Sequence, residues 1–211
     1  DLDYWETSRP LMKDGMLQSK RNSPVNKDVI YLDFRAEVSA FDKIFHFSKE
    51  NLDERKNLLR QRSKYLKRLF NGEPMRFKGT QDNKVGNLEI LSENTVKCIG
   101  KILNKEYTDI RVAEHKLYRN MGTSVYMKNK YEMGYSEANA GSGEIAVVQL
   151  VRRIEKARDY SLVLLDEPEV SLHPGAQENL KEYLLEAIKT KKLQVVISTH
   201  SPTLIKGLPS S

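Results

Sequence analysis

The chain has 211 residues, 39% hydrophobic and 30% charged, with a formal net charge of +6. That length supports a genuine core in one large domain or two small ones. No apolar run approaches the roughly 18 residues that would span a bilayer, and the start carries no secretory-signal pattern. The single cysteine, Cys98, excludes an intrachain disulfide framework and fits a reducing, cytoplasmic compartment.

The charge is unevenly placed. Residues 134–211 carry 9 Lys and Arg against 10 Asp and Glu, a net of −1, so residues 1–133 carry 26 against 19, a net of +7. An excess of that kind is compatible with a surface facing nucleic acid.

In chain order, residues 1–26 are polar and rich in turn formers, and read as loop with Tyr4 and Trp5 available for packing. Val29-Ile-Tyr-Leu predicts a strand. Residues 48–70 predict a long helix with Ser48 as N-cap and Glu50, Asp53 and Glu54 in its first turns, where carboxylates favour the helix dipole. Leu52, Leu58, Leu59, Tyr65, Leu66, Leu69 and Phe70 form its apolar stripe. Arg55, Lys56, Arg60, Arg62, Lys64, Lys67 and Arg68 lie opposite, as a phosphate-contacting face or a solvated one whose cations gather near the C-terminus.

Residues 73–87 read as loop, and 92–104 as a helix capped by Ser92. Residues 110–118, 124–128 and 131–135 read as short strands, the last two joined in a hairpin at Asn129-Lys130.

The informative chemistry follows. Leu162-Val-Leu-Leu is an uninterrupted apolar run ending in adjacent carboxylates, Asp166 and Glu167. Such a run fits a strand buried on both faces, and the carboxyl ends of parallel strands are where open α/β sheets place ligands. There one carboxylate can hold a hydrated divalent cation while its neighbour orients or deprotonates a water. Upstream, Asn139-Ala-Gly-Ser-Gly-Glu144 feeds an apolar-periodic helix through Ile154, leaving backbone N–H groups free for an anion. Downstream, residues 177–190 predict a helix with Leu180, Leu184, Leu185 and Ile188 on one face, and Gln194-Val-Val-Ile-Ser-Thr-His200 predicts a second strand ending in histidine. Strand, helix, strand is right-handed by default, which brings His200 to the same sheet edge as Asp166 and Glu167.

Residues 135–205 resemble the C-terminal half of an ABC-type ATPase head, in the branch of SMC-like ATPases, OLD-family nucleases and related anti-phage ATPases. Ala140-Gly-Ser-Gly-Glu144 resembles the signature motif, Leu162-Val-Leu-Leu-Asp-Glu167 the Walker B strand, Glu169-Val-Ser-Leu-His-Pro174 the segment carrying the D-loop, and Ser198-Thr-His200 the switch histidine. The resemblance implies an α/β fold: an ABC-ATPase-like mixed sheet with flanking helices and a helical insertion. It divides the chain into the remainder of a first lobe (1–47), a helical subdomain (48–106) and the signature, Walker B and switch-histidine half (107–211).

It further implies ATP and Mg²⁺ as cofactors and a head-to-tail dimer sandwiching the nucleotide. Gly141, Ser142, Gly143 and Glu144 would meet the partner copy's ATP, Asp166 would hold Mg²⁺, Glu167 would act as general base, and His200 would sense the γ-phosphate. Nucleic acid would lie on the basic 48–70 helix, a nuclease or effector partner could be attached, and no membrane is involved. A regulatory clamp with little turnover is the alternative.

Two departures stand out. Gly141 precedes Ser142-Gly143 where the family has serine followed by two glycines, so which hydroxyl meets a phosphate stays open. No Gly-x-x-x-x-Gly-Lys-Ser/Thr occurs; Gly72 and Gly79 lack the lysine. The expectation is a piece whose first, phosphate-cradling lobe lies elsewhere.

Bland readings apply to the other candidates: His173 as a turn residue, Ser201 as a helix cap, Cys98 as a small apolar packer. Ser142 does not sit in the Gly-x-Ser-x-Gly elbow of a serine hydrolase.

Overall fold

The structure, a computed structural model, describes residues 27–37, 39–73, 86–118 and 120–208. The expected loop at 1–26, with Tyr4 and Trp5, lies outside these residues, as does Gly79.

Three strands, β1 (Val29–Asp33), β6 (Leu162–Asp166) and β7 (Gln194–Ser198), form a parallel sheet in the order β1-β6-β7. Four more, β2 (Gly86–Ile90), β3 (Tyr107–Tyr118), β4 (Asn120–Asn129) and β5 (Gly134–Ser136), form a separate antiparallel sheet in chain order. The α/β class is as expected, but the strands segregate into two sheets. Strand β2, of which Gly86 and Asn87 fall in the expected loop and residues 88–90 in no expected element, carries only Leu88 and Ile90 as large apolar residues, and its pairing with β3 defines it. The antiparallel sheet therefore draws strands from both sides of residue 106.

The helices are α1 (Ala40–Phe47), α2 (Leu52–Phe70), α3 (Glu93–Leu103), α4 (Ser142–Lys156), α5 (Pro174–Lys191) and the single turn α6 (Pro202–Ile205). Helix α1 was not expected from the sequence, although Ser39 caps it by accepting from Asp42 N at 3.1 Å. Ser48 accordingly ends α1 rather than starting α2, whose N-cap is Asn51, accepting from Glu54 N at 2.9 Å. Arg55 leaves the basic face of α2: its guanidinium donates to the carbonyls of Phe45, Ser48 and Glu50, closing the end of α1. The hairpin at Asn129 is wider than expected. The Asn129 side chain accepts from the N–H groups of Tyr131 and Met133, so Tyr131 lies in the turn and β5 begins at Gly134.

The antiparallel sheet is covered on both faces by alternation of side chains. Ile110, Val112, Val125 and Met127 join the main core with α3 and α4, while Ala113 and Leu117 pack against Ala40, Ile44, Leu69 and Phe70 of α1 and α2. The parallel sheet differs. Leu32, Val163 and Leu165 are buried in the main core, but Val29, Tyr31 and Val196 on the other face are more than half exposed. The run 162–165 predicted burial on both faces; within the described residues one face is fully covered and Leu162 and Leu164 are only half-buried.

Candidate functional site

Register sets the site. Asp33, Asp166 and Ser198 are level at the carboxyl ends of β1, β6 and β7. The chain continues past β6 through Glu167, whose N–H donates to Ser198 O at 2.8 Å and whose φ of +48° is left-handed. That conformation is costly for a residue with a Cβ, by about 1 kcal/mol or more. It turns the Glu167 side chain at the sheet edge, where 12% of it is exposed. Glu167 Oε1 lies 3.1 Å from His200 Nε2, and Oε2 lies 3.2 Å from an Arg35 guanidinium nitrogen. Both partners are on the surface, with side chains 87% (His200) and 63% (Arg35) exposed. A sheltered carboxylate thus sits between two solvent-exposed groups.

Glu169 fixes the loop bearing His200. Its carboxylate accepts from Thr199 Oγ1 at 2.6 Å and from His200 N at 2.7 Å. Burial pushes the Glu169 carboxyl up, but the Thr199 hydroxyl and the loop N–H groups outweigh it and hold the carboxyl below its ordinary value. Ser201 Oγ–H donates to Gln177 Oε1 at 2.6 Å and the hydroxyl oxygen caps α6, accepting from Leu204 N. His173 caps α5, accepting from Gly175 N.

The glycine-bearing turn is tied to the same loop. Ser142 Oγ–H donates to Ser171 Oγ at 2.8 Å. Gly143 is pressed against it: a Cβ there would meet Ser171 O at 2.4 Å, a contact that real side chains essentially never make. Residues 141–143 and the segment 167–173 therefore form one connected wall.

Glu144 behaves otherwise. Its Oε2 accepts from Gly141 N at 2.9 Å, capping α4, and its Oε1 accepts from Lys105 Nζ at 2.9 Å, Tyr107 OH at 2.5 Å and Tyr135 OH at 2.9 Å. Burial raises its carboxyl, but these donors prevail and hold it below its ordinary value. Burial and the Glu144 contact push the Tyr107 phenol well up, and burial takes Tyr135 up to about 12. The side chain of Glu144 is directed into its own chain.

The structure brings Asp166, Glu167 and His200 together, with Ser142 and Gly143 on the adjoining wall. Two residues at this edge escaped the sequence reading, Asp33 and Arg35, and Glu169 entered it only as the start of the D-loop-like segment, with no role of its own. Asp33 had a usable signal, because Val29-Ile-Tyr-Leu-Asp33 repeats the pattern of Leu162-Val-Leu-Leu-Asp166 and parallel pairing levels the two aspartates.

Among the described residues no group of three His, Cys, Asp or Glu forms a metal cage of its own. A hydrated Mg²⁺ needs only one or two carboxylates beside phosphate oxygens. Asp166 with Asp33 fits that donor set.

A family model described as "AAA domain, putative AbiEii toxin, Type IV TA system" matches residues 15–206. The chain belongs to this AAA-domain family. Protein ea59 of Escherichia phage lambda is 28% identical over 136 residues, covering 63% of this chain and 23% of that protein. The Old nuclease of Escherichia phage P2 is 25% identical over 142 residues, covering 54% of this chain and 24% of that protein. The chain thus spans about a quarter of the length of these relatives. Among solved structures, an SMC ATPase studied for ATP-driven dimerisation overlays with a TM-score of 0.41 at 16% identity, covering 54% of this chain and 69% of the other. The Smc head domain from Pyrococcus furiosus overlays at 0.38 with 18% identity, covering 54% and 29%. The family assignment rests on the sequence match. No helix among the described residues is long and apolar enough to cross a membrane.

Proposed function

We propose that this chain carries the signature and catalytic-base half of an ATP hydrolase that dimerises head to tail on ATP and couples turnover to action on nucleic acid, in phage defence or DNA maintenance. The observation that carries the reading is Glu167, sheltered at the end of β6 between His200 and Arg35. Glu167 orients the attacking water and accepts its proton. His200, hinged beside Glu167 by the Glu169 clasp, contacts the γ-phosphate. Arg35 steadies Glu167 or turns to the phosphate charge. Asp166, with Asp33 level beside it, holds the cation through water. Bound Mg²⁺ supplies charge neutralisation at the phosphates. Ser142 and Gly143 meet the nucleotide held by the partner copy. The phosphate cradle comes from a P-loop, which these 211 residues do not contain. Membership of the AAA-domain family and similarity to the Old nuclease support the nucleotide and nucleic-acid parts of the reading.

The test is ATP turnover and dimerisation in a protein that joins this chain to its P-loop. Glu167→Gln should slow hydrolysis by about a hundredfold or more, the scale of losing one positioned catalytic group. It should also accumulate an ATP-bound dimer on size-exclusion chromatography. Hydrolysis at the parental rate would remove Glu167 from the chemistry.

A further inference from the structure

On the side of Glu144 away from the α4 cap lies a cleft of about 680 Å³, in the size range of ligand sites. Lys97, Lys101, Lys105 and Lys130 line it together with Tyr107 and Tyr131. Lys97 and Lys101 are one helical step of four residues apart on α3, so about 6 Å along its axis. Lys105 follows just past the helix end. That spacing is comparable with successive phosphates on an extended strand. The carbonyls ending α3 are already occupied: Gly100 O accepts from Lys105 N, and Lys101 O accepts from Asn104 N and Asn179 Nδ2. Of the charged residues lining the cleft, four are lysines and one, Glu106, is acidic, so ammonium groups predominate there.

Each lysine has a carboxylate neighbour: Lys97 with Glu93, Lys101 with Glu182, Lys105 with Glu144 and Lys130 with Glu106. All but the Glu144 pair are exposed on both sides, and such solvent-screened pairs contribute little, so an incoming phosphate can replace them. Tyr131 is 73% exposed at the rim, with the Lys130 ammonium 5.3 Å from its ring centre. An exposed ring beside a cation is a stacking platform for a base.

We propose that this cleft binds a short stretch of single-stranded nucleic acid, its phosphates on Lys97, Lys101 and Lys130 and one base on Tyr131. The cleft is too small to admit a duplex, which sets it apart from the convex basic face of α2. Lys105 and Tyr107, shared with Glu144, place the strand one side chain from the cap of α4. The site goes beyond the ATPase reading, and its test needs no ATP, so the two stand or fall separately.

Fluorescence anisotropy with dye-labelled oligo(dT) and oligo(rU) of about twelve nucleotides, within the usual site size of such grooves, decides it. Lys101→Glu with Lys130→Glu should weaken binding at least tenfold. The same pair should flatten the slope of log K against log salt by about 1.4, from two lost single-strand phosphate contacts. Tyr131→Ala should weaken binding roughly fivefold with the slope unchanged. Arg60→Glu with Lys64→Glu on α2 should stay within twofold. Equal binding of DNA and RNA is expected from phosphate and stacking contacts. The proposal is overturned if the cleft pair stays within twofold, if the α2 pair carries the loss, or if a duplex of equal length competes as well as the single strand. Melting curves report folding, and Lys101→Gln with Lys130→Gln gives the same reading should charge reversal prevent it.

Discussion

Glu144 and Glu167 are almost equally hidden, at 8% and 9% exposure, yet they live in opposite surroundings. Glu144 receives four donors, all from its own chain and all within 2.9 Å. Glu167 has two neighbours, at 3.1 and 3.2 Å, each on a side chain that is mostly in solvent. A carboxylate with its acceptor sites filled is a fastening. One that is sheltered but loosely held, on a residue in left-handed backbone, can exchange partners when a ligand arrives. Burial alone does not distinguish the two carboxylates; the number and exposure of their donors do.

The largest effect that would sharpen this contrast is on stability. Glu144→Ala removes the α4 cap and strips acceptors from two tyrosine hydroxyls and Lys105, so it should cost about 3 kcal/mol, read by thermal or urea unfolding. A loss under about 1 kcal/mol would break the assignment of Glu144 as a fastening.

A smaller effect is expected with pH. The Glu144 carboxyl lies below its ordinary value when folded, so its stabilisation is fully present above the unfolded carboxylate pKa, about 4.3. It is lost as pH falls through the lower folded value. Melting temperatures should therefore fall between about pH 5 and pH 2, and Glu144→Ala should show a shallower acid limb than the parent. Glu137 works in the other direction: burial holds its carboxyl above the ordinary range, against the Ser124 hydroxyl and backbone donors. Its acid protonation relieves strain on the fold, so the limb that Glu144→Ala retains should be the flatter for it.

The smallest effect belongs to the other side of the contrast. His200→Ala, removing a side chain 87% exposed, should shift stability by no more than about 0.5 kcal/mol. A large destabilisation would mean that the Glu167–His200 contact holds the fold rather than awaiting a ligand.

Much of this was legible without coordinates. The apolar runs of β6 and β7 and the leucine spacing of α5 fixed a strand-helix-strand unit, and its handedness carried His200 to the edge with Asp166 and Glu167. The cap of α3 at Ser92 was equally plain. Other elements were not. Strand β2 holds too few apolar residues to signal itself and exists by pairing with β3. The start of α2 was displaced to Ser48 because several capping residues stand close together, and only the bond from Glu54 N to the Asn51 side chain chooses among them.

The sequence by itself determined where the strands end and which polar residues sit at those ends, because alternation and apolar runs encode which face of an element is buried. The tertiary structure decided which polar groups meet. Lys105 reaches Glu144 across 39 residues, Thr199 reaches Glu169 across 30, and Arg35 faces Glu167 from the turn after β1. Such partnerships carry no periodicity, since they arise where separate elements converge after packing. For that reason the acidic edge could be read from the chain, while the difference between a fastened carboxylate and an available one could not.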